Sequence, residues 1–249
     1  MNSKIDKIWF GRLFEEKGDI LFDNPFVNCN IAFSIGLIKN QNEDYLRAGK
    51  IEDNSYIAVA DGHWGYLAAE HVITDMLTSI LPICKDILDE FSSKNVKSEN
   101  FKIDKEFYSN LLLKINEHNN LIAKNTDAET SLILAITNKV NAFIISIGDS
   151  YSYSIDEDNQ EYLVEQLPIW LGSRLGTDLK FYLKLQFIHY WSNILLASDG
   201  LPECIYDTTT ITSKEIFETI KNEDFPVKTL MNKAMKYGED NIAIVHLKK

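Results

Sequence analysis

"SLILAITNKVNAFIISIGDSYSYSI", Ser131 to Ile155, decides the fold class. Its apolar and β-branched content marks strands over 132–137 and 142–147, with a short polar break between them. A third run, "YSYSI", follows Gly148, Asp149 and Ser150. Strands that succeed one another with no helix between them pair antiparallel, because a parallel pair needs a long crossover. Working outward, further strands are expected near 31–38, 56–60, 179–188, 193–197 and 242–247. "YLAAEHVITDMLTSIL" (66–81) sets Leu67, Val72 or Ile73, Met76 or Leu77, and Ile80 on one helical stripe, which Pro82 should kink or end. "DKEFYSNLLLKINEHNNLIAK" (104–124) resumes that period with Phe107, Leu111, Ile115 and Leu121 or Ile122. Two shorter helices fit "SKEIFETIKN" (213–222) and "PVKTLMNKAMKYG" (226–238). The order of strands, two long helices, a block of strands, two short helices and a last strand indicates an α+β fold. The polar loop Ser92–Asn100 is too short to divide the chain, so residues 1–249 read as one domain. The first thirty residues match no motif, beyond an edge strand and turn in "KIWFGRLFEEKGD" (7–19).

With 249 residues the chain can bury a large core, and its 45% hydrophobic and 25% charged shares are those of a soluble globular protein. A net charge of −12 argues against binding to a nucleic-acid backbone, which needs clustered Lys and Arg. Cys29, Cys84 and Cys204 are odd in number and widely spaced, which fits reduced thiols in a cytoplasmic protein. Asp6, Arg12, Glu15 and Glu16 stand where a signal peptide needs an apolar segment. No apolar run reads as long enough to span a membrane.

Apolar runs repeatedly end in an acid: "YIAVADG" at Asp61, "FIISIGDS" at Asp149 and "NILLASDG" at Asp199. Asp240 precedes a strand in "GEDNIAIVHL", and Glu43 and Asp44 follow one in "KNQNEDYL". Each alone reads as a turn acid. Five such places in one chain, if they converge, would repel strongly unless cations or protons neutralise them. Oxygen ligands without a His/Cys cluster favour Mg²⁺ or Mn²⁺ over zinc, and a two-metal site polarises phosphoryl groups and makes hydroxide at neutral pH.

The ordered set "KNQNEDYL", "VADGHWG", "ETSLILAI", "SIGDSYSYSI", "LLASDGLPE" and "GEDNIAIVHL" resembles the metal-dependent Ser/Thr protein phosphatases of the PP2C (PPM) family, in their minimal bacterial form. The resemblance implies a sandwich of two antiparallel sheets, each flanked by a helix pair. It implies that Asp61 bridges two Mn²⁺ or Mg²⁺ ions, with the Gly62 carbonyl, Glu43, Asp199 and Asp240 completing their coordination. Asp44 would orient the shared water, which attacks phosphorus in line as hydroxide, and His63 would protonate the leaving serine or threonine oxygen. Asp149 and Glu203 would hold a third ion in members that have one; Asp149 alternatively sits in a plain hairpin turn. Thr130 and Ser131 would pack around the site. His71, His118, His189 and His246 read as structural or surface residues. The implied partner is a phosphorylated Ser/Thr protein, the target of an intracellular kinase, and the expected state is a monomer.

The chain also departs from the family pattern. Lys39 stands where an arginine usually binds phosphate, keeping the charge but losing the bidentate fork. Trp64 replaces a glycine and either walls the cleft or packs on the following helix. Glu129 replaces a glycine, Glu203 an aspartate, and Pro202 a larger side chain. "EYLVEQLPIWLGSRLGTD" keeps Arg174, Leu175 and Gly176 but leaves little room for the usual flap. These departures motivate an alternative: a catalytically weak or inactive phosphoprotein-binding module. A metal-dependent nuclease is disfavoured by the acidic balance.

Overall fold

The computed structural model describes residues 5–14, 16–94, 96–164, 169–172, 182–205 and 209–249. Arg174, Leu175 and Gly176 lie outside them, as do residues 179–181 of the strand expected at 179–188. Fourteen strands are named in chain order: β1 (Asp6–Phe10), β2 (Leu21–Phe26), β3 (Cys29–Ser34), β4 (Tyr45–Ile51), β5 (Asn54–Ala60), β6 (Gly62–His63), β7 (Glu129–Thr130), β8 (Leu132–Thr137), β9 (Asn141–Ile147), β10 (Tyr151–Asp156), β11 (Glu161–Val164), β12 (Lys184–His189), β13 (Trp191–Ala197) and β14 (Ile242–Lys248). The helices are α1 (Leu67–His71), α2 (Leu77–Ser93), α3 (Lys105–Asn125), α4 (Ser213–Asn222) and α5 (Pro226–Ala234).

One sheet has the order β1-β4-β5-β8-β9-β12 and the other β11-β10-β13-β14-β3-β2, all pairs antiparallel. Strand β8 shows why the deciding stretch is apolar throughout. Leu132, Leu134 and Ile136 face the helices, while Ile133 and Ala135 face the opposite sheet. Successive side chains alternate between faces, and here both faces are buried. Helices α1, α2 and α3 cover the first sheet through Ala69, Ile80, Leu88, Leu111 and Ile115. Helices α4 and α5 cover the second through Ile216, Phe217, Leu230 and Met231. The result is the expected four-layer α/β/β/α sandwich.

Four expectations need correction. Pro82 does not end its helix, which runs from Leu77 to Ser93 with the proline on its exposed side. The helical run Leu67–Ser93 is, by length and composition, apolar enough to cross a bilayer, and its apolar stripe instead packs on the first sheet. The turn holding Asp149 is not a hairpin: β9 belongs to the first sheet and β10 to the second. Gly148, at φ +95°, redirects the chain there, and a Cβ on it would meet the Ser131 Cβ at 2.6 Å. Strand β4 was not expected, since "YLRAGKI" carries two basic residues and a glycine. Arg47 is nevertheless buried. It donates to both Asp6 oxygens, at 2.9 and 2.8 Å, and to the Ile73 carbonyl at 2.9 Å, which the π-helical turn Val72–Met76 presents. The three cysteines are free and buried.

Candidate metal centre

Antiparallel order explains why distant acids meet. β5 and β9 both pair with β8, so they run the same way and end on the same side, at Asp61 and Asp149. β4 begins where β5 ends, which brings Glu43 and Asp44 beside Asp61. β13 ends where β14 begins, which brings Asp199 beside Asp240. Two glycines let these loops touch. A Cβ on Gly62 would lie 2.6 Å from the Glu43 carbonyl oxygen, and one on Gly200 would lie 1.9 Å from that of Asn241.

Backbone and side-chain hydrogen bonds fix the acids. The Asp61 N–H donates to Ser131 Oγ at 3.1 Å, and the Asp61 carbonyl accepts from Thr130 Oγ1 at 2.7 Å and from the Ser131 N–H at 2.9 Å. Ser198 Oγ donates to Asp44 Oδ2 at 2.7 Å and accepts the Ala243 N–H at 3.0 Å. Asn241, buried, accepts the Glu43 N–H at 2.9 Å and donates to the Ile35 and Gln41 carbonyls at 3.1 and 3.2 Å. It thereby ties the Glu43 loop to the Asp240 loop.

The electrostatics are those of crowded carboxylates. Burial first, then Asp240 and Asp199, push the Asp44 carboxyl well above its ordinary pKa. Burial first, then Asp44 and Asp149, do the same to Asp61, and burial with Asp61 and Asp149 does so to Asp199. Glu43 is raised chiefly by burial, against the pull of Lys39. Lys39 Nζ lies 3.0 Å from Asp240 Oδ1, and although burial opposes its charge, Asp240, Glu43 and Asp44 outweigh that and raise it. Burial likewise opposes the charged form of His63, and Asp149, whose Oδ2 lies 3.0 Å from its Nε2, outweighs it.

The structure thus brings Lys39, Glu43, Asp44, Asp61, Gly62, His63, Asp149, Asp199 and Asp240 to one end of the sandwich. Glu203 is engaged differently: its Oε1 accepts from the Tyr151 hydroxyl at 2.9 Å. Among the described residues, the group whose ligand atoms all lie within 4.8 Å of one another is Asp61, His63 and Asp149. This puts the histidine itself at ligand distance, a placement the sequence reading did not include. Buried Asp44 Oδ1, Asp61 Oδ2 and Asp149 Oδ1 have no hydrogen-bond partner. Buried polar atoms are ordinarily satisfied, so these three oxygens, in a mostly carboxylate donor set, fit hard divalent cations such as Mg²⁺ or Mn²⁺.

Three contributors escaped the sequence reading: Ser198, Asn241 and Trp170. The Trp170 indole N–H donates to Asp149 Oδ2. Its ring meets that of His63 edge-on at 4.9 Å and that of Trp64 at 6.3 Å. Trp64 does not pack on the following helix; it is 73% exposed. A groove of about 1030 Å³ lies elsewhere, lined in part by Phe101, Tyr162, Phe187 and Asp156. Asp156 is satisfied there by the Tyr162 hydroxyl and two backbone N–H groups, so chemistry and not cavity size marks the site.

No protein-family model matches the sequence, and no curated protein matches it. Solved structures do match. A serine/threonine phosphatase from Staphylococcus aureus aligns with a TM-score of 0.62 at 17% identity, over 90% of this chain and 95% of that one. The Mycobacterium tuberculosis serine/threonine phosphatase PstP/Ppp aligns with a TM-score of 0.59 at 16% identity, over 88% and 97%. A catalytic domain of PstP in complex with two manganese ions aligns at 0.60 and 17%, over 88% and 96%. At these identities the likeness shows the fold.

Proposed function

We propose that this chain, which has the fold of PP2C-type phosphatases, is a divalent-cation-dependent phosphatase acting on phosphoserine or phosphothreonine in proteins. The observation that carries the reading is the convergence of buried carboxylates with unpartnered oxygens at one end of the sandwich. Its structural neighbours, serine/threonine phosphatases of which one holds two manganese ions, support it.

Asp61, Asp199, Asp240, Glu43 and the Gly62 carbonyl would hold the cations, which are Mn²⁺ or Mg²⁺. Bound there, the cations would neutralise the acids, polarise the phosphoryl group and lower the pKa of water. Asp44, held by Ser198, orients the attacking water through its free Oδ1. That water would release a proton to solvent, and its oxygen would form the new bond to phosphorus as the bond to the serine or threonine oxygen breaks. His63, whose charged form the Asp149 carboxylate favours, would give its proton to that leaving oxygen. Lys39 offers one positive charge to the phosphate once Asp240 turns to a cation. Asp149, through its unpartnered Oδ1, and Glu203, one of whose oxygens accepts from the Tyr151 hydroxyl, would hold a third ion.

The test is hydrolysis of p-nitrophenyl phosphate and of phosphoserine and phosphothreonine peptides with and without Mn²⁺. Cation-dependent release of phosphate, abolished by a chelator, is expected. Cation binding without turnover of any monoester would favour the inactive binding module instead.

A further inference from the structure

We infer that Trp64 and Trp170 form a substrate-binding wall that takes a cationic side chain, arginine or lysine, flanking the phosphorylated residue. The inference rests on the phosphatase reading and names the substrate class that reading leaves open.

Trp64 adopts φ +58°, in the left-handed region. A bulky residue pays conformational energy there, and such outliers persist where the site uses them. Packing does not account for it, since the residue is 73% exposed. A glycine would adopt that backbone freely and hide no apolar surface from water. The indole stands next in sequence to His63, the proton donor, and meets Trp170 at 6.3 Å with the planes 74° apart. Trp170 is anchored in turn to Asp149 through its N–H. The two rings and the imidazole therefore form a continuous aromatic edge to the acid cluster.

Charge selects the occupant. The indole face is electron-rich and is the strongest aromatic partner for a cation. The chain carries a net charge of −12, so its surface around the cation centre favours a positively charged flank. An acidic flanking residue would be repelled, and a neutral one would gain only contact area. Among the described residues, no lysine or arginine lies over either ring, and Trp64 itself is 73% exposed.

The experiment compares kcat/KM for phosphoserine peptides that differ only at the flanking position, with Arg, Ala, Leu or Glu there, for the wild type, Trp64→Ala and Trp64→Phe. The wild type should favour the Arg over the Ala peptide by about 2- to 30-fold, the range of exposed to desolvated cation–π contacts. Trp64→Ala should bring that ratio to about 1, and Trp64→Phe should retain part of it. An unchanged ratio in Trp64→Ala, or a Leu peptide preferred to Arg, overturns the inference while leaving the phosphatase reading intact. In parallel, indole fluorescence is titrated with the same peptides in the Asp61→Asn variant. If no peptide is turned over, the phosphatase reading fails, and this titration decides the wall alone: tighter binding of the Arg peptide supports it, and equal binding of all four overturns it.

Discussion

Replacing Asp61 by Asn removes one charge from the centre of the acid cluster, so it should stabilise the cation-free protein while disabling its proposed chemistry. Two carboxylates about 4 Å apart repel by roughly 4 kcal/mol at an effective dielectric of 20. Proton uptake relieves part of that repulsion, as the raised affinities of Asp44, Asp61 and Asp199 indicate. A net gain of about 1–2 kcal/mol is expected, the usual size of a stabilising change at a site kept for function. For a chain of this length, 1 kcal/mol moves Tm by about 2–4 °C, so Asp61→Asn should melt about 2–8 °C above the wild type in EDTA. Saturating Mn²⁺ adds about 2.7 kcal/mol to the wild type at a hundredfold excess over Kd, and should add little to the variant. Differential scanning fluorimetry with EDTA or Mn²⁺, beside phosphatase assays, reads all of this. A lower Tm in EDTA, or an undiminished Mn²⁺ response, would refute the reasoning about repulsion and ligation respectively.

The pH dependence of the cation-free protein has a definite sign. Asp44, Asp61 and Asp199 bind protons more tightly folded than unfolded, so stability should fall as pH rises from the unfolded carboxylate range through their raised folded values. His63, also raised, adds stability below its unfolded pKa that is lost as pH rises through the folded one; urea melts between pH 4 and 8 in EDTA would expose a rising trend if either argument fails. Arg47→Met takes the bidentate partner from Asp6, which keeps the Tyr56 hydroxyl, and one donor from the Ile73 carbonyl, and should cost about 1.5–3 kcal/mol in urea unfolding; a loss under 1 kcal/mol would mean the pair contributes nothing net. Lys39→Met frees Asp240 from its ion pair, so Mn²⁺ should bind more tightly while KM for phosphopeptides rises; weaker Mn²⁺ binding would contradict the competition between ammonium and cation.

Much of the architecture was legible because burial on both faces leaves an unmistakable trace. β8 runs from Leu132 to Thr137, as the uninterrupted apolar run indicated, and α4 spans Ser213–Asn222 as its stripe indicated. The acids at strand ends were legible for a related reason: a charged residue directly after a buried strand has few places to point except the shared edge of the sheets. What stayed hidden depends on contacts between distant segments. Arg47 disguised β4 because its charge is neutralised by Asp6, forty-one residues away. Ser198 and Asn241 look like ordinary turn residues until their partners, Asp44 and the Glu43 N–H, are seen to lie across the sandwich. Trp170 sits in a stretch with no periodicity, and nothing local links it to Asp149. Pro82 misled because it lies on the exposed side of its helix, where carbonyls tilt toward water.

The most direct test is calorimetric titration of Mn²⁺ into the chelator-stripped wild type in two buffers of different ionisation heat. About two ions should bind, with release of protons as the buried carboxylates give them up. No binding up to millimolar Mn²⁺, or binding that releases no protons and survives Asp61→Asn, would contradict the assignment of these acids to a cation centre.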